Sequence, residues 1–233
     1  MQMIFQDPLS SLDSRMRVRA IIAEGPQISG VRSAKKLQAI VEEKMGCVGL
    51  DSVLMRRYPH QFSGGQCQRI GIARALAVEP ELLVCDESVA ALDVSIQAQV
   101  LNVFMNLRKQ FSLTYIFISH DLGVVEHISD RVAIMYLGRI VELAPTQPLF
   151  AAPNHPYTQA LLSGIPKLVA RKRDHQPVRG EIPSPLDPPP GCHFHPRCPH
   201  AMDRCRMEIP IMREISPSHL AACHLNDTAS GAA

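Results

Sequence analysis

Three polar residues follow apolar runs that have the composition of buried strands. Asp86 and Glu87 come directly after residues 82–85, and His120 follows the β-rich run at residues 114–119. An acidic pair in this position can hold Mg²⁺ through water and can orient an attacking water. His120 could donate to a phosphate oxygen. Each residue could equally be an ordinary polar strand end, so the residue types alone leave both interpretations open.

A second candidate site is the run Ser63-Gly64-Gly65-Gln66, where a helix is predicted to begin. Ser63 and Gln66 form a capping-box pattern. Two glycines at a helix start allow close backbone approach, and the free N–H groups and the helix dipole favour a phosphate. An ordinary capped helix with a flexible entry is the alternative interpretation.

The elements that must position these residues alternate between strands and helices. Apolar patterns predict strands at residues 3–5, 82–85 and 114–119, helices at 33–48, 63–77 and 96–107, and two strands joined at Gly138-Arg139 within 131–143. This alternation predicts an α/β fold whose sheet carries helices on its faces. In such sheets reactive groups gather beyond the carboxyl ends of the strands. Gln6 follows the first strand and could position water or a metal there, or be only a polar turn residue.

Composition and charge limit the classes of function. The net charge is +2, so nothing calls for a nucleic-acid partner. The longest apolar runs are shorter than the roughly 18 residues of a membrane span, and the first residues do not have the pattern of a secretory signal. A cytosolic globular protein is therefore the default expectation.

A composition shift near residue 145 predicts a domain boundary, with domains at residues 1–145 and 146–233. Most of the prolines and histidines lie beyond it. Residues 166–190 have few apolar side chains and are predicted to form a linker.

Four cysteines crowd the terminal segment: Cys192, Cys198, Cys205 and Cys223. Four soft ligands suit Zn²⁺ or an iron–sulfur cluster. Their spacing lacks the C-x2-C pairs of a common zinc ribbon, and unpaired structural thiols in a reducing cytosol are the alternative.

Five motifs, taken in order, resemble those of the ATP-binding subunits of ABC transporters. They are Phe5-Gln6-Asp7-Pro8 (the Q-loop), Phe62-Ser63-Gly64-Gly65-Gln66 (the signature), residues 82–87 (Walker B), Ala91-Leu92-Asp93 (the D-loop) and Ile118-Ser119-His120-Asp121 (the H-loop). Their spacing also fits that family. The resemblance implies part of an ABC-type P-loop NTPase domain, in which residues from about 9 to 60 form a helical subdomain that faces a membrane partner.

The resemblance also implies a role for each motif residue near the nucleotide, which would be ATP with Mg²⁺. Gln6 would sense Mg²⁺ and the γ-phosphate and couple to the membrane subunit. Asp86 would hold Mg²⁺ through water, and Glu87 would orient or deprotonate the attacking water. His120 would contact the γ-phosphate.

Two further motifs would act across a pair of ATPase subunits. Residues 63–66 would close over an ATP held mainly by the partner subunit, and Asp93 would link the two sites. The implied partners are transmembrane permease subunits, a second ATP-binding subunit and, indirectly, a periplasmic solute-binding protein. The implied location is the cytoplasmic face of the inner membrane.

The sequence departs from the family pattern most clearly in its lack of a phosphate-binding loop. Residues 1–233 contain no G-x-x-x-x-G-K-[ST], the loop that cradles the phosphates in P-loop proteins. In the family it lies upstream of the Q-loop, so this polypeptide alone is expected neither to bind ATP tightly nor to hydrolyse it. Cys67, Ser88 and Ala90 also replace the usual arginine, proline and serine.

The C-terminal segment resembles the extension of oligopeptide and dipeptide importer ATPases. The resemblance rests on His155-Pro156-Tyr157-Thr158, residues 180–185 and residues 192–199. In that subfamily the four cysteines are implicated in holding a [4Fe–4S] cluster, which the resemblance favours over Zn²⁺.

The predicted function is therefore that of the ATP-binding subunit that energises import of peptides or related small solutes by ATP hydrolysis. Three alternatives compete with it. An inactive truncated product of such a gene would explain the missing loop. A non-transport ABC ATPase would usually carry long coiled coils, which the sequence lacks. A stand-alone metal or redox module would leave the five ordered motifs unexplained.

Overall fold

The structure is a computed structural model that describes residues 1–164 and 180–230. The chain forms two compact units, Met1–Asp121 and Leu122–Ala233, which are described separately below. The contacts thus divide the chain earlier than the composition shift near residue 145, and the domain boundary placed there stays a prediction. Of the predicted linker at residues 166–190, the part up to residue 179 lies outside the described residues.

The first unit contains a parallel three-stranded sheet, as the apolar runs predict. It consists of β1 (Gln2–Ile4), β2 (Leu82–Asp86) and β3 (Thr114–Ile118), with β2 in the middle. In β2, Leu83 and Cys85 are fully buried. Because the strands are parallel, the residues that follow all three meet at one edge of the sheet.

Four α-helices complete this unit. They are α1 (Val18–Ile28), α2 (Ala34–Cys47), α3 (Gly64–Leu76) and α4 (Val94–Phe111), with short 3₁₀ helices at Ser52–Arg56 and Pro59–Gln61. α1, α2 and α3 pack against one another and bury Ile22, Met45 and Ile70 completely. The mixed α/β architecture of the sequence prediction is confirmed for this unit.

The second unit is built on an antiparallel sheet. Its elements are α5 (Leu122–Ile128), β4 (Arg131–Tyr136), β5 (Arg139–Pro145), α6 (Thr146–Ala151), α7 (Pro156–Ser163), α8 (Asp203–Met207), β6 (Arg213–Ser216) and β7 (His219–Ala221), and the strand order is β4-β5-β7-β6. The turn between β4 and β5 has positive φ at Leu137 and Gly138, as a two-residue hairpin loop requires.

An aromatic cluster forms the core of the second unit. Phe194 is 1% exposed, and its ring centroid lies 5.2 Å from that of Tyr136 and 5.3 Å from that of Tyr157. This contact attaches the cysteine-bearing segment to β4 and α7.

Within residues 1–164 and 180–230, we find no helix with the length and apolar content needed to cross a membrane.

Candidate functional site

Glu87 is the centre of a cluster that joins three separate motifs. The Nε2 amide of Gln6 donates to Glu87 Oε2 at 2.5 Å, and Nδ1 of His120 lies 3.0 Å from Glu87 Oε1. The structure therefore brings together Gln6, Glu87 and His120, which the sequence singled out from three different strand ends.

The backbone explains why these side chains converge. Glu87 follows β2 directly, and its N–H donates to the carbonyl of Ile118, the last residue of β3, at 3.0 Å. Glu87 itself has a left-handed backbone with φ of 44°. Such a conformation is costly for a residue other than glycine and is typical of functional sites. It turns the carboxylate out of the strand toward the neighbouring loops.

The turn after Gln6 is fixed by Asp7. Oδ1 of Asp7 accepts the N–H groups of Leu9 at 2.9 Å and Ser10 at 3.3 Å. These two backbone donors, Leu9 first, lower the pKa of Asp7 below its usual value, so the carboxylate stays ionised and the turn stays closed. Gln6 therefore leaves β1 in a defined direction.

Asp86, the expected Mg²⁺ ligand, is the last residue of β2 and is partly buried. Its neighbour Glu87 is 27% exposed at the side chain, whereas His120 is 71% exposed. The edge of the sheet is thus open to solvent, so a phosphate group and its water can reach the carboxylates.

The signature segment starts a well-capped helix, as the sequence predicts. Ser63 Oγ accepts the N–H of Gln66 at 3.3 Å, and Gln66 Oε1 accepts the N–H of Ser63 at 3.0 Å. Gly65 is required by packing, because a Cβ at this position would collide with the side chain of Ile96 of α4. At Gly64 a Cβ would meet only Leu92, at 3.8 Å, so this glycine is the one left for close approach of a ligand.

Residues 63–66 and Asp93 stand apart from the Glu87 cluster. In the described part of the chain, no hydrogen bond joins them to Gln6, Glu87 or His120. Asp93 precedes α4, is exposed and makes no side-chain cap hydrogen bond. Ser63 and Asp93 are exposed to solvent, and Gly64 and Gln66 are partly exposed.

Arg74, which the sequence analysis did not identify, links the signature helix to the turn after Gln6. Its Nη1 donates to the carbonyl of Ser11 at 2.6 Å. Burial lowers the pKa of Arg74, and the charge of Glu24 opposes this effect. The sequence shows that Arg74 follows the signature by about two helical turns, but it does not show that its hydrogen-bond partner is Ser11.

Cys67 and Ser88, which replace family residues, are buried inside the first unit. The thiol of Cys67 donates to the carbonyl of Pro59 at 3.5 Å, and burial raises its pKa. Cys67 and Ser88 can therefore influence the neighbouring signature and Walker B residues through packing.

The four C-terminal cysteines each accept a backbone N–H from a residue two or three positions away. The pairs are Cys192 with Phe194 and His195, Cys198 with His200, Cys205 with Met202 and Cys223 with Leu225. Burial, together with the neighbouring thiols, raises the pKa of Cys223 to about 11. The thiols therefore lie within electrostatic reach of one another.

The cysteines do not form a ready-made site for a single metal ion. No group of three or more His, Cys, Asp or Glu side chains within the described ranges has the arrangement of such a site. A tetrahedral zinc site with Zn–S bonds near 2.3 Å would need its thiols about 4 Å apart.

A buried carboxylate that the sequence analysis missed organises the second unit. Glu142 is 0% exposed and accepts the N–H groups of Asn154 at 2.8 Å and His155 at 2.9 Å and Nε2 of His219 at 2.7 Å. It thereby fixes the entry to α7, where the His-Pro-Tyr-Thr sequence begins. The available signal was a single acid between the apolar residues Val141 and Leu143 of strand β5.

His155 makes the stability of this unit pH-dependent. Burial lowers its pKa from 6.5 to about 4, opposed by Glu142. Below pH 6.5 the unfolded chain binds a proton at His155, whereas the folded chain binds it only near pH 4. The free energy of unfolding therefore decreases as the pH falls from 6.5 to about 4, by up to about 3 kcal/mol in total. Denaturant unfolding at several pH values measures this loss.

The matched variant is His155→Asn, because asparagine keeps the helix cap but does not titrate. We expect a smaller loss of stability between pH 7 and pH 4.5 in the variant than in the native chain. If the free energy of unfolding decreased equally with falling pH in the two proteins, His155 would not be the source of the pH dependence.

Comparison with known families and proteins agrees with both units. Residues 1–90 match the ABC transporter family, and residues 141–205 match the family described as oligopeptide/dipeptide transporter, C-terminal region. The chain is 53% identical over 227 residues to the oligopeptide transport ATP-binding protein AppF of Bacillus subtilis, covering 96% of this chain and 69% of that protein. It is 51% identical over 233 residues to a probable peptide ABC transporter ATP-binding protein, y4tS, of Sinorhizobium fredii, covering 100% and 66%.

A solved structure shares the fold. It is cbiO1 from Clostridium perfringens, part of the ABC transporter complex cbiONQ, with a TM-score of 0.59 and 26% identity over 65% of this chain and 59% of that one. The chain thus spans roughly two thirds of the length of its similar proteins.

Proposed function

Because the chain belongs to the family of ATP-binding subunits of oligopeptide and dipeptide ABC transporters, we propose that it energises the import of peptides by ATP hydrolysis. The observation that carries the proposal is the cluster in which Gln6 and His120 both bind Glu87. This cluster supports the proposal because it joins three of the motif residues to which the resemblance assigns roles in ATP hydrolysis.

In the proposed mechanism, Glu87 orients the attacking water and receives its proton. Its two oxygens are engaged by Gln6 and His120, and each oxygen keeps a second lone pair that can accept from water. His120, which is exposed, would turn to the γ-phosphate when ATP arrives. A partly buried carboxylate with an open face suits this task.

Asp86 fits the proposed metal ligand, because an oxygen donor at a strand end next to Glu87 matches the preference of Mg²⁺. When bound, Mg²⁺ would neutralise charge on the phosphates. Holding this ion in place would be the task of Asp86.

The signature would act on the nucleotide of a second ATP-binding subunit. Residues 63–66 lie apart from Glu87 in their own chain, Gly64 leaves the backbone accessible, and the start of α3 favours an anion. Exposed Asp93 would connect the two sites. The remaining proposed partners are permease subunits at the cytoplasmic face of the membrane.

The experiment compares the 233-residue polypeptide with a loop-completed chain, in which a strand and a G-x-x-x-x-G-K-[ST] loop from an active ABC ATPase precede residue 1. The polypeptide alone is expected to bind ATP more weakly than about 1 mM, because its sequence contains no G-x-x-x-x-G-K-[ST] loop. The loop-completed chain should bind ATP in the micromolar range and release phosphate. Calorimetry measures ATP binding and a phosphate assay measures hydrolysis, each for both polypeptides. Micromolar binding without the loop, or no hydrolysis with it, would contradict the proposal.

We also propose that the four cysteines hold a [4Fe–4S] cluster. The backbone N–H groups aimed at all four sulfurs support it, since such hydrogen bonds stabilise cluster thiolates. The charges of neighbouring thiols in this set act on Cys192, Cys198 and Cys223, and a [4Fe–4S] cluster would bind each of the four thiols to a different iron.

Analysis of anaerobically purified protein tests this assignment. The expected content is about four iron and four acid-labile sulfide per chain, with loss of both in Cys205→Ser. Stoichiometric zinc without iron would show that the cluster assignment is wrong.

A further inference from the structure

One carboxylate of the second unit is bound by side chains from three different segments. Oδ2 of Asp227 lies 2.9 Å from Nη1 of Arg204 and 3.0 Å from Nδ1 of His224. The other oxygen, Oδ1, lies 3.2 Å from Nε of Arg213. Arg204 is on α8, Arg213 begins β6, and His224 begins a 3₁₀ helix. Asp227 therefore joins three segments that are separate in the sequence.

Glu208 connects two of these segments a second time. Oε2 of Glu208 accepts a hydrogen bond from Nε of Arg204 at 2.6 Å, and its backbone carbonyl accepts one from Nε2 of His224 at 3.0 Å. Arg204 and His224 are thus linked both through Asp227 and through Glu208. We call these four residues the Asp227 network: Arg204, Glu208, His224 and Asp227.

The Asp227 network connects the immediate neighbours of two C-terminal cysteines. Arg204 directly precedes Cys205, and His224 directly follows Cys223. One oxygen of Asp227 binds both of these neighbours. Because each cysteine is joined to its neighbour by a single peptide bond, the network limits how far the two thiols can move apart.

The centre of the Asp227 network is shielded from water. The side chain of His224 is 3% exposed and that of Asp227 is 16% exposed, whereas that of Arg204 is 48% exposed. Hydrogen bonds to an ionised partner are stronger than neutral ones, and those of a shielded network support one another. The links between the two cysteine-bearing segments are therefore stronger than ordinary surface ion pairs.

Cys192 is attached to Cys205 in a different way. The N–H of Cys192 donates to the carbonyl of Cys205 at 2.8 Å, and this bond does not involve the Asp227 network. On the N-terminal side of Cys223, the N–H of Ala222 donates to the carbonyl of Val141 at 2.8 Å. On its C-terminal side the network holds the chain. Loss of the network would therefore loosen Cys223 more than Cys192.

We propose that Asp227 is a positioning residue for the [4Fe–4S] cluster and keeps Cys205 and Cys223 at the separation that the cluster requires. This inference rests on the cluster assignment proposed above. Side chains that orient metal ligands change metal affinity by about 10-fold to 100-fold when they are removed. Asp227 does not bind iron itself and acts through the two cysteine-bearing segments.

The test compares the native 233-residue chain with Asp227→Asn, both purified anaerobically. Asparagine keeps the size of the side chain but removes its charge and one acceptor oxygen. The decay of the visible cluster absorbance after addition of an iron chelator gives the lifetime of the cluster. We expect the lifetime to shorten by about 10-fold or more in the variant.

Alkylation of individual thiols distinguishes positioning from a general loss of stability. Brief treatment of the cluster-loaded variant with iodoacetamide, followed by mass spectrometry, is expected to modify Cys223 before Cys192. General unfolding would modify all four cysteines at similar rates. The matched control is Asp203→Asn, which makes the same charge change on an exposed residue of α8 outside the network. We expect its cluster lifetime to stay within twofold of the native value.

Arg204→Gln interrupts the network at another point and serves as the second variant if Asp227→Asn fails to fold by circular dichroism. An unchanged cluster lifetime, equal shortening in Asp203→Asn, or modification of all four thiols at similar rates would overturn the role of Asp227. Absence of iron from the native chain would instead show that the cluster assignment is wrong, and the role of Asp227 with it.

Discussion

Replacing Glu87 with glutamine is expected to lower ATP hydrolysis by the loop-completed chain by about 100-fold or more, the usual contribution of a positioned general base. Glutamine keeps the shape of the side chain and one oxygen for Gln6 or His120, but it cannot take a proton from water. Binding of ATP should stay within a few-fold of the native value, because the role proposed for Glu87 is to activate water and not to hold the phosphates. Steady-state phosphate release and calorimetric ATP binding measure the two effects.

The matched control is Glu81→Gln, an exposed glutamate at the entry to β2, which should leave hydrolysis unchanged. Removing His120 by an alanine substitution should also slow hydrolysis, since it holds one oxygen of Glu87 at 3.0 Å. If Glu87→Gln kept more than a tenth of the activity, another group would have to activate the water.

Replacing Glu142 with alanine is expected to destabilise the second unit by about 3 kcal/mol or more, because three buried or partly buried groups would lose their shared hydrogen-bond partner at about 1–3 kcal/mol each. The change would leave the N–H groups of Asn154 and His155 without an acceptor and His219 without its carboxylate. Each orphaned buried donor adds its own desolvation penalty. Chemical denaturation gives the free energy, and hydrogen exchange at Asn154 and His155 locates the loss.

The control for this experiment is Glu126→Ala, an exposed glutamate on α5 of the same unit, for which we expect little change. If Glu142→Ala lowered the free energy of unfolding by less than about 1 kcal/mol, the hydrogen bonds of Glu142 would not be the main interaction that holds β5, β7 and the start of α7 together.

Local patterns were sufficient to predict most of the first unit. The apolar runs placed all three parallel strands, and the capping box of Ser63 and Gln66 placed the start of α3. Both are short-range features that the chain encodes within a few residues. The convergence on Glu87 followed from the rule that parallel strands end at one edge.

Contacts between distant residues could not be predicted in this way. Glu142 and His219 are separated by 77 positions, and they meet only because β7 pairs with β5. Arg74 reaches Ser11 across a comparable gap of 63 positions. The need for glycine at residue 65 likewise comes from Ile96 on another helix. No single-sequence pattern records such partners.

Oligopeptide uptake is the most direct test of the proposed function, measured in Bacillus subtilis cells that lack AppF, which is 53% identical to this chain. The loop-completed chain is expected to restore uptake of a labelled oligopeptide, and its Glu87→Gln variant is expected not to. Failure to restore uptake by a chain that accumulates and binds ATP, or equal restoration by the variant, would contradict the role proposed here.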